Sequence, residues 1–229
     1  MTGLGFAGGA LIWAVTAIAA VAADQFSVHP SRAGTASDQE QGDTLAASDT
    51  GKRRLAASRT LLIALSAVAA SALVYARLGW TAPLPAACCL CAAGPPLAAT
   101  DLAEHRLPDK LTLPAIAATG VLLTAASWYL NHFAALGRAA IAAAAAATFF
   151  LALALITRQI GGGDVKLAVL TGMLPGWLGW DHFVPAPLSG LLLAAVTAGV
   201  LVATRRISRR DPLPLGPFLL AGALIGVLA

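Results

Sequence analysis

The stretch RAAIAAAAAATFFLALALITRQIGGGDVKLAVLTGMLPGWLGW, residues 138–180, decides the fold. Two apolar runs, 138–157 and 165–180, are parted by a short polar insert that ends in three glycines and an acid. Runs of about 17–25 apolar residues are what a hydrocarbon core ~30 Å thick requires of a helix. The apolar residues form continuous runs rather than one-sided stripes, so these helices have no wet face to offer.

The same pattern extends outward in both directions. Of the 229 residues, 58% are hydrophobic and 11% charged, whereas about a quarter of a soluble domain is charged. The chain reads as an all-α, polytopic helical membrane protein. About eight spans are expected, at 3–23, 59–77, 82–100, 112–130, 138–157, 165–180, 186–204 and 215–229. The sixth carries Pro175 and Gly176 near its end, where a kink or an early stop is expected. The whole of 1–229 reads as one membrane-embedded domain. Residues 24–58 are poor in large apolar side chains and read as a flexible loop.

Basic residues set the orientation. Of the 15 lysines and arginines, all but Arg77 and Arg138 fall in the loops after the odd-numbered spans. Cytoplasmic loops carry the excess of Lys and Arg, so both termini are expected outside and those loops inside. Trp80, Trp177, Trp180 and Phe183 fall near the outer ends, as interfacial aromatics do. The net charge of +4 is this topology signal; no basic patch interleaved with aromatics points to nucleic acid. The lipid bilayer is the partner the composition demands.

Acids beside the spans carry the chemistry. Ionisable groups near membrane depth are costly and tend to be functional. Asp101 sits in LAATDLAEHRLPDKLTLP, directly after the third span, with Pro108 and Pro114 bracketing the entry to the fourth. Asp164 follows Gly161, Gly162 and Gly163 and opens the sixth. Glycines let another backbone come close, as an extended peptide read through its main chain requires. Two converging carboxyls can share a proton and act as base and acid. Helix position makes Asp164, at a helix N-terminus, the ionised base, and Asp101, at a C-terminus, the protonated partner. Glu104, His105 and Asp109 read as solvated loop residues. Lys166 reads as a lysine whose ammonium reaches the interface along an apolar stem, the alternative being a supporting or substrate-binding role.

Cys88, Cys89 and Cys91 lie inside the third span with no second pair and no nearby histidine. Structural zinc takes four ligands, so they read as packing residues; no metal and no cofactor is expected.

Three segments together resemble a known family. Asp101 with Pro108, in D-x6-P-D-x-L-T-L-P, resembles the first catalytic motif of bacterial prepilin peptidases. GGGDVKL resembles their second, G-x-G-D-x-K-L, and PLPLGPFLLAGAL, residues 212–224 with Gly216 and Pro217, resembles their P-x-G-P-F segment. The resemblance covers residue 100 to the end. It implies a membrane aspartic endopeptidase with Asp101 and Asp164 as the catalytic pair. Such an enzyme removes the basic leader of type IV pilin-like precursors at the cytoplasmic face of the plasma membrane. Larger members carry two C-x-x-C pairs between their first two spans, and many also N-methylate the product. Here that interval is cysteine-free, which points to the short peptidase-only forms and puts methyl transfer in doubt. Two alternatives stand beside it. One is a protease of the presenilin or signal-peptide-peptidase kind, against which Thr100 before Asp101 and the LPLGPF ending argue. The other is a small proton-coupled transporter, which the span-end acids and the lack of a repeat disfavour.

Overall fold

A computed structural model describes residues 61–104, 107–157, 160–205 and 214–229. The expected first span and the 24–58 loop lie outside the described residues, as does His105. Each of the other seven expected spans coincides with a helix. These are α1 (Leu61–Leu78), α2 (Leu84–Glu104), α3 (Asp109–Leu130), α4 (Phe133–Thr157), α5 (Gly162–Leu178) and, after the one-turn α6 (Trp180–Phe183), α7 (Pro185–Ala203) and α8 (Gly216–Leu228). No strand occurs among the described residues. Five stretches are long and apolar enough to cross a membrane: α1, α2 as far as Ala103, α3, α4, and Trp180–Ala203. The helices α5 and α8 are shorter, at 17 and 13 residues. At 1.5 Å per residue α8 is only about 20 Å long.

Several boundaries differ from expectation for local reasons. Helix α2 does not stop before Asp101 but runs on through good helix formers to Glu104. Helix α4 begins at Phe133 rather than 138, so Arg138 is a helical residue and not a loop residue. Helix α5 continues past Pro175 and ends at Leu178. Gly179 follows with φ of 158°.

The helices pack through their small residues. Helix α4 buries Ala135, Ala139, Ala142, Ala143, Ala146 and Phe150 and turns Ile141, Phe149, Leu155 and Ile156 outward. Helix α3 likewise buries Thr112, Ala115, Thr119 and Ser127 while Val121, Trp128 and Tyr129 face out. This inverts the soluble pattern. Lipid is as apolar as leucine, so hydrophobicity cannot drive helix association there, and close backbone approach does. The central helix α5 lies against α4 through Gly172 and Gly176. A side chain at Gly176 would collide with the Cβ of Ala142. Gly222 of α8 sits in the same way against the carbonyl of Ala186 on α7.

Polar contacts close the helix ends. Trp177 is not interfacial but buried, and its Nε1–H donates to Ser127 Oγ at 2.7 Å. The Arg138 guanidinium donates to the Trp177 carbonyl at 3.2 Å, at the C-terminus of α5. Arg77 does the same at the C-terminus of α8, where Nε donates to the Leu228 carbonyl at 3.3 Å. Cations suit helix C-termini.

Replacing Gly176 with leucine forces α4 and α5 apart and is expected to cost roughly 1–3 kcal/mol. Gly137→Leu, where a side chain meets nothing within 4 Å, is the control. Thermal unfolding of the two purified variants in one detergent checks this, with only Gly176→Leu lowering the midpoint.

Candidate active site

The site forms where the C-terminus of α2 meets the N-termini of α5 and α8. Asp101 lies in the last turn of α2 and is 4% exposed. Its Oδ2 accepts the backbone N–H of Gly216 at 2.8 Å. Gly216 is the first residue of α8, after the N-cap Leu215, so this N–H is one of the four that a helix start leaves without an intrahelical partner. The carboxylate thus closes the end of α8 at which the helix dipole favours negative charge. A Cβ on residue 216 would stand 2.6 Å from that same oxygen, so glycine alone lets the amide come this near. Pro217 follows at the second position of the helix, where its missing N–H breaks no bond.

Asp164 occupies the third position of α5, ahead of the apolar stretch 165–180. Its Oδ2 accepts the N–H of the N-cap Gly161 at 3.1 Å, and its own N–H donates to the Gly161 carbonyl at 3.1 Å. The other carboxyl oxygen, Oδ1, is shut off from solvent and has no hydrogen-bond partner. Burial pushes this carboxyl up to about 6; the nearby charge of Asp101 pushes the same way, and the Gly161 N–H opposes both. The two acids therefore lie within electrostatic reach of one another, in unequal surroundings. Such a pair can hold one proton and one charge between them.

The three glycines do different things. Gly161 and Gly162 are exposed, and a Cβ on Gly162 would meet nothing within 4 Å. At Gly163 a Cβ would lie 2.9 Å from the Leu107 Cβ. The close approach that glycine allows there is taken by this chain's own loop. Pro108 is the N-cap of α3, and its carbonyl accepts the Thr112 N–H at 3.1 Å and the Thr112 hydroxyl at 3.2 Å.

Two residues depart from expectation. Lys166 does not simply reach out along an apolar stem: its Nζ stands 2.6 Å from Asp109 Oδ1. Asp109 is accordingly no free loop acid but the first residue of α3, ion-paired across to α5. Neither residue's local sequence specifies the other: Asp109 is the first residue of its helix and Lys166 the fifth of another. The Gly216 amide was legible only as part of a motif, because a backbone donor leaves no mark in sequence. The cysteines pack within α2, Cys91 buried and the others half-buried. Among the described residues no cluster of three potential metal ligands occurs.

Comparison with known proteins gives the family. The family model of the type IV leader peptidase family matches residues 84–204, a range holding both acids. A prepilin leader peptidase/N-methyltransferase of Burkholderia pseudomallei (strain 1026b) is 37% identical over 176 residues, covering 72% of this chain and 53% of the relative. The like-named protein of Bacillus subtilis (strain 168) is 32% identical over 137 residues, covering 58% and 50%. That of Aeromonas hydrophila is 33% identical over 134 residues, covering 56% and 43%. The chain spans about half the length of these curated relatives or less. No solved structure matches it. With more than half of its length matched by the family model, the chain belongs to the type IV leader peptidase family.

Proposed function

We propose that this chain is a multi-pass membrane aspartic endopeptidase that removes the leader from type IV pilin-like precursors. Asp101 and Asp164 are its catalytic pair in a single membrane-embedded peptidase domain. The observation that carries the reading is the nearness of these two acids, one buried on a helix N-terminus and the other raised by its own burial and, beyond that, by the first one's charge. The concentration of lysine and arginine in alternate loops supports eight spans, termini outside, and a site at the cytoplasmic face of the plasma membrane. The names of the curated relatives include N-methyl transfer as well. We assign this chain the peptidase step alone, because the 24–58 interval lacks the cysteine pairs of the larger forms.

The roles follow from the surroundings and reverse the expectation from α2 and α5 alone. Asp101 is the last-turn residue of one helix, but it also faces the positive end of another, whose free N–H bonds its oxygen. An N–H donated to a carboxylate suits the anion. Asp164 holds the proton. In the reaction Asp101 takes a proton from a water molecule, whose oxygen attacks the scissile carbonyl carbon. Asp164 gives its proton to the carbonyl oxygen, forming a tetrahedral diol. Collapse of the diol breaks the C–N bond as a proton passes to the leaving amine, and the dyad returns to one proton and one charge. Gly161 and Gly162, exposed at the start of α5, leave the substrate backbone room beside Asp164.

Co-expression with a type IV pilin precursor, followed by gel mobility of the product, tests the reading. Asp101→Asn and Asp164→Asn are each expected to slow leader removal by roughly 10²–10⁴-fold. Full cleavage by both variants would end the dyad assignment.

Gly216→Ala pushes a methyl group against Asp101 and is expected to slow cleavage by about 10²-fold, the scale of a ~1 Å misplacement. Single-turnover rates at saturating precursor measure it.

The pH dependence has a definite sign. Cleavage needs Asp164 protonated, so its rate falls as pH rises through the Asp164 carboxyl. Without substrate that carboxyl stands at about 6. Bound peptide excludes water and raises it further, so the alkaline limb is expected at or above 6. A pH–rate profile whose only limb lies near 4 would contradict this.

Mass spectrometry of the product is expected to find an unmethylated N-terminus.

A further inference from the structure

Residues 107–109, leading into and opening α3, lie against the start of α5 and are tied down there at two points. Leu107 fills the space that Gly163 leaves, with its Cβ 2.9 Å from where a Cβ would stand. One residue beyond Pro108, Asp109 meets the Lys166 ammonium at 2.6 Å. Residues two apart on a helix point to different sides, so Lys166 is directed to Asp109 from a different side of α5 than the one Asp164 occupies. The pair therefore joins the segment after Asp101 to the turn that carries Asp164 without itself entering the dyad. Both partners are partly exposed, at 42% and 58%, and an isolated pair of this kind contributes little to stability. Its placement, tying the start of α3 to the start of α5, gives it a different use.

We infer that Lys166 and Asp109 are positioning residues: their ion pair, with the Leu107–Gly163 contact, is a strap that sets the separation of Asp101 and Asp164. This rests on the aspartic peptidase reading. The charged groups on the elements around the dyad are few. Helix α2 carries Asp101 and, three residues on, Glu104; α3 carries Asp109 and Lys110 in its first turn; α4, packed on α5, carries Arg138, which bonds the far end of α5; α5 carries Asp164 and Lys166; α8 offers only its N-terminus, with no titratable side chain from Gly216 to Leu228. Loosening the strap separates the two acids and admits water. Both changes weaken what holds the proton on Asp164, so the alkaline limb of the reaction moves to lower pH. Geometry is lost at the chemical step and not in substrate binding.

The test compares wild type with Lys166→Met, Asp109→Asn, their double variant and Lys166→Arg, using full-length protein in detergent or nanodiscs and a pilin precursor as probe. Each single loss is expected to lower kcat about 10- to 100-fold with KM within about twofold, and the double variant, which leaves the net charge unchanged, is expected to shift the alkaline limb down. The double variant is expected to be no worse than either single one, as coupled partners behave. Lys166→Arg keeps the charge and is expected to keep both rate and profile. Hydrogen exchange gives a readout free of activity: amides in 107–112 and 161–166 are expected to exchange faster in Lys166→Met. Additive losses in the double variant, or unchanged kcat and pH profile with cleavage still dependent on both aspartates, would overturn the positioning role alone. Wild-type cleavage that survives both aspartate substitutions would instead overturn the peptidase reading, and unchanged exchange would then dispose of the strap as well.

Discussion

The hydrogen bond from the Gly216 amide to Asp101 is the contact on which the arrangement of the site depends. A carboxylate that is 4% exposed has given up nearly all of its water. A polar group so placed is tolerable only when protein hydrogen bonds replace the lost hydration. Helix α8 supplies them: a free N–H at bonding distance and the positive end of its dipole behind it. Asp164 meets the same need at the start of α5 through the Gly161 amide. Two helix N-termini and one C-terminus are thus drawn to a single point by the demands of two acids, and the bundle around them must accommodate that convergence.

It does so by thinning its interfaces. Helices brought to one point have to cross at short range, and the residues at the crossings are alanine and glycine. Gly172 and Gly176 admit α4 to α5; Gly222 admits α7 to α8. On α3 and α4 many of the larger side chains, among them Val121, Tyr129, Ile141 and Phe149, turn outward, where lipid receives them without penalty. Thr119 and Ser127 are fully buried in the same interfaces, and Ser127 accepts the indole N–H of Trp177. Polar groups here act as adhesives between helices that the hydrophobic effect does not press together.

Much of this was legible in the sequence. The spans are long apolar runs, and the structure puts a helix at each of the seven that fall within the described residues. Asp101 and Asp164 stood out because so few acids lie beside apolar runs, and Gly216 and Pro217 because they repeat a motif. Other features were hidden for physical reasons. The dipole argument about Asp101 drew on the helix that contains it; the amide that its Oδ2 accepts belongs to α8, more than a hundred residues away. The Lys166–Asp109 pair joins two ordinary surface charges, and nothing in either local sequence specifies the other. Trp177 looked interfacial by position, but its fate was decided by Ser127 on a different helix. Local patterns report a residue's own element; these features belong to the contacts between elements.

Arg77 and Arg138 were the two exceptions to the one-sided distribution of positive charge. Both turn out to be spent on carbonyl oxygens at helix C-termini, Arg138 at α5 and Arg77 at α8. A guanidinium engaged in this way neutralises a partial negative charge that the fold itself creates, and so adds little to the field seen by the membrane. Once such terminal neutralisers are set aside, the remaining lysines and arginines all belong to the loops after the odd-numbered expected spans. The asymmetry of charge that the sequence writes into alternate loops is therefore steeper than a tally of basic residues suggests.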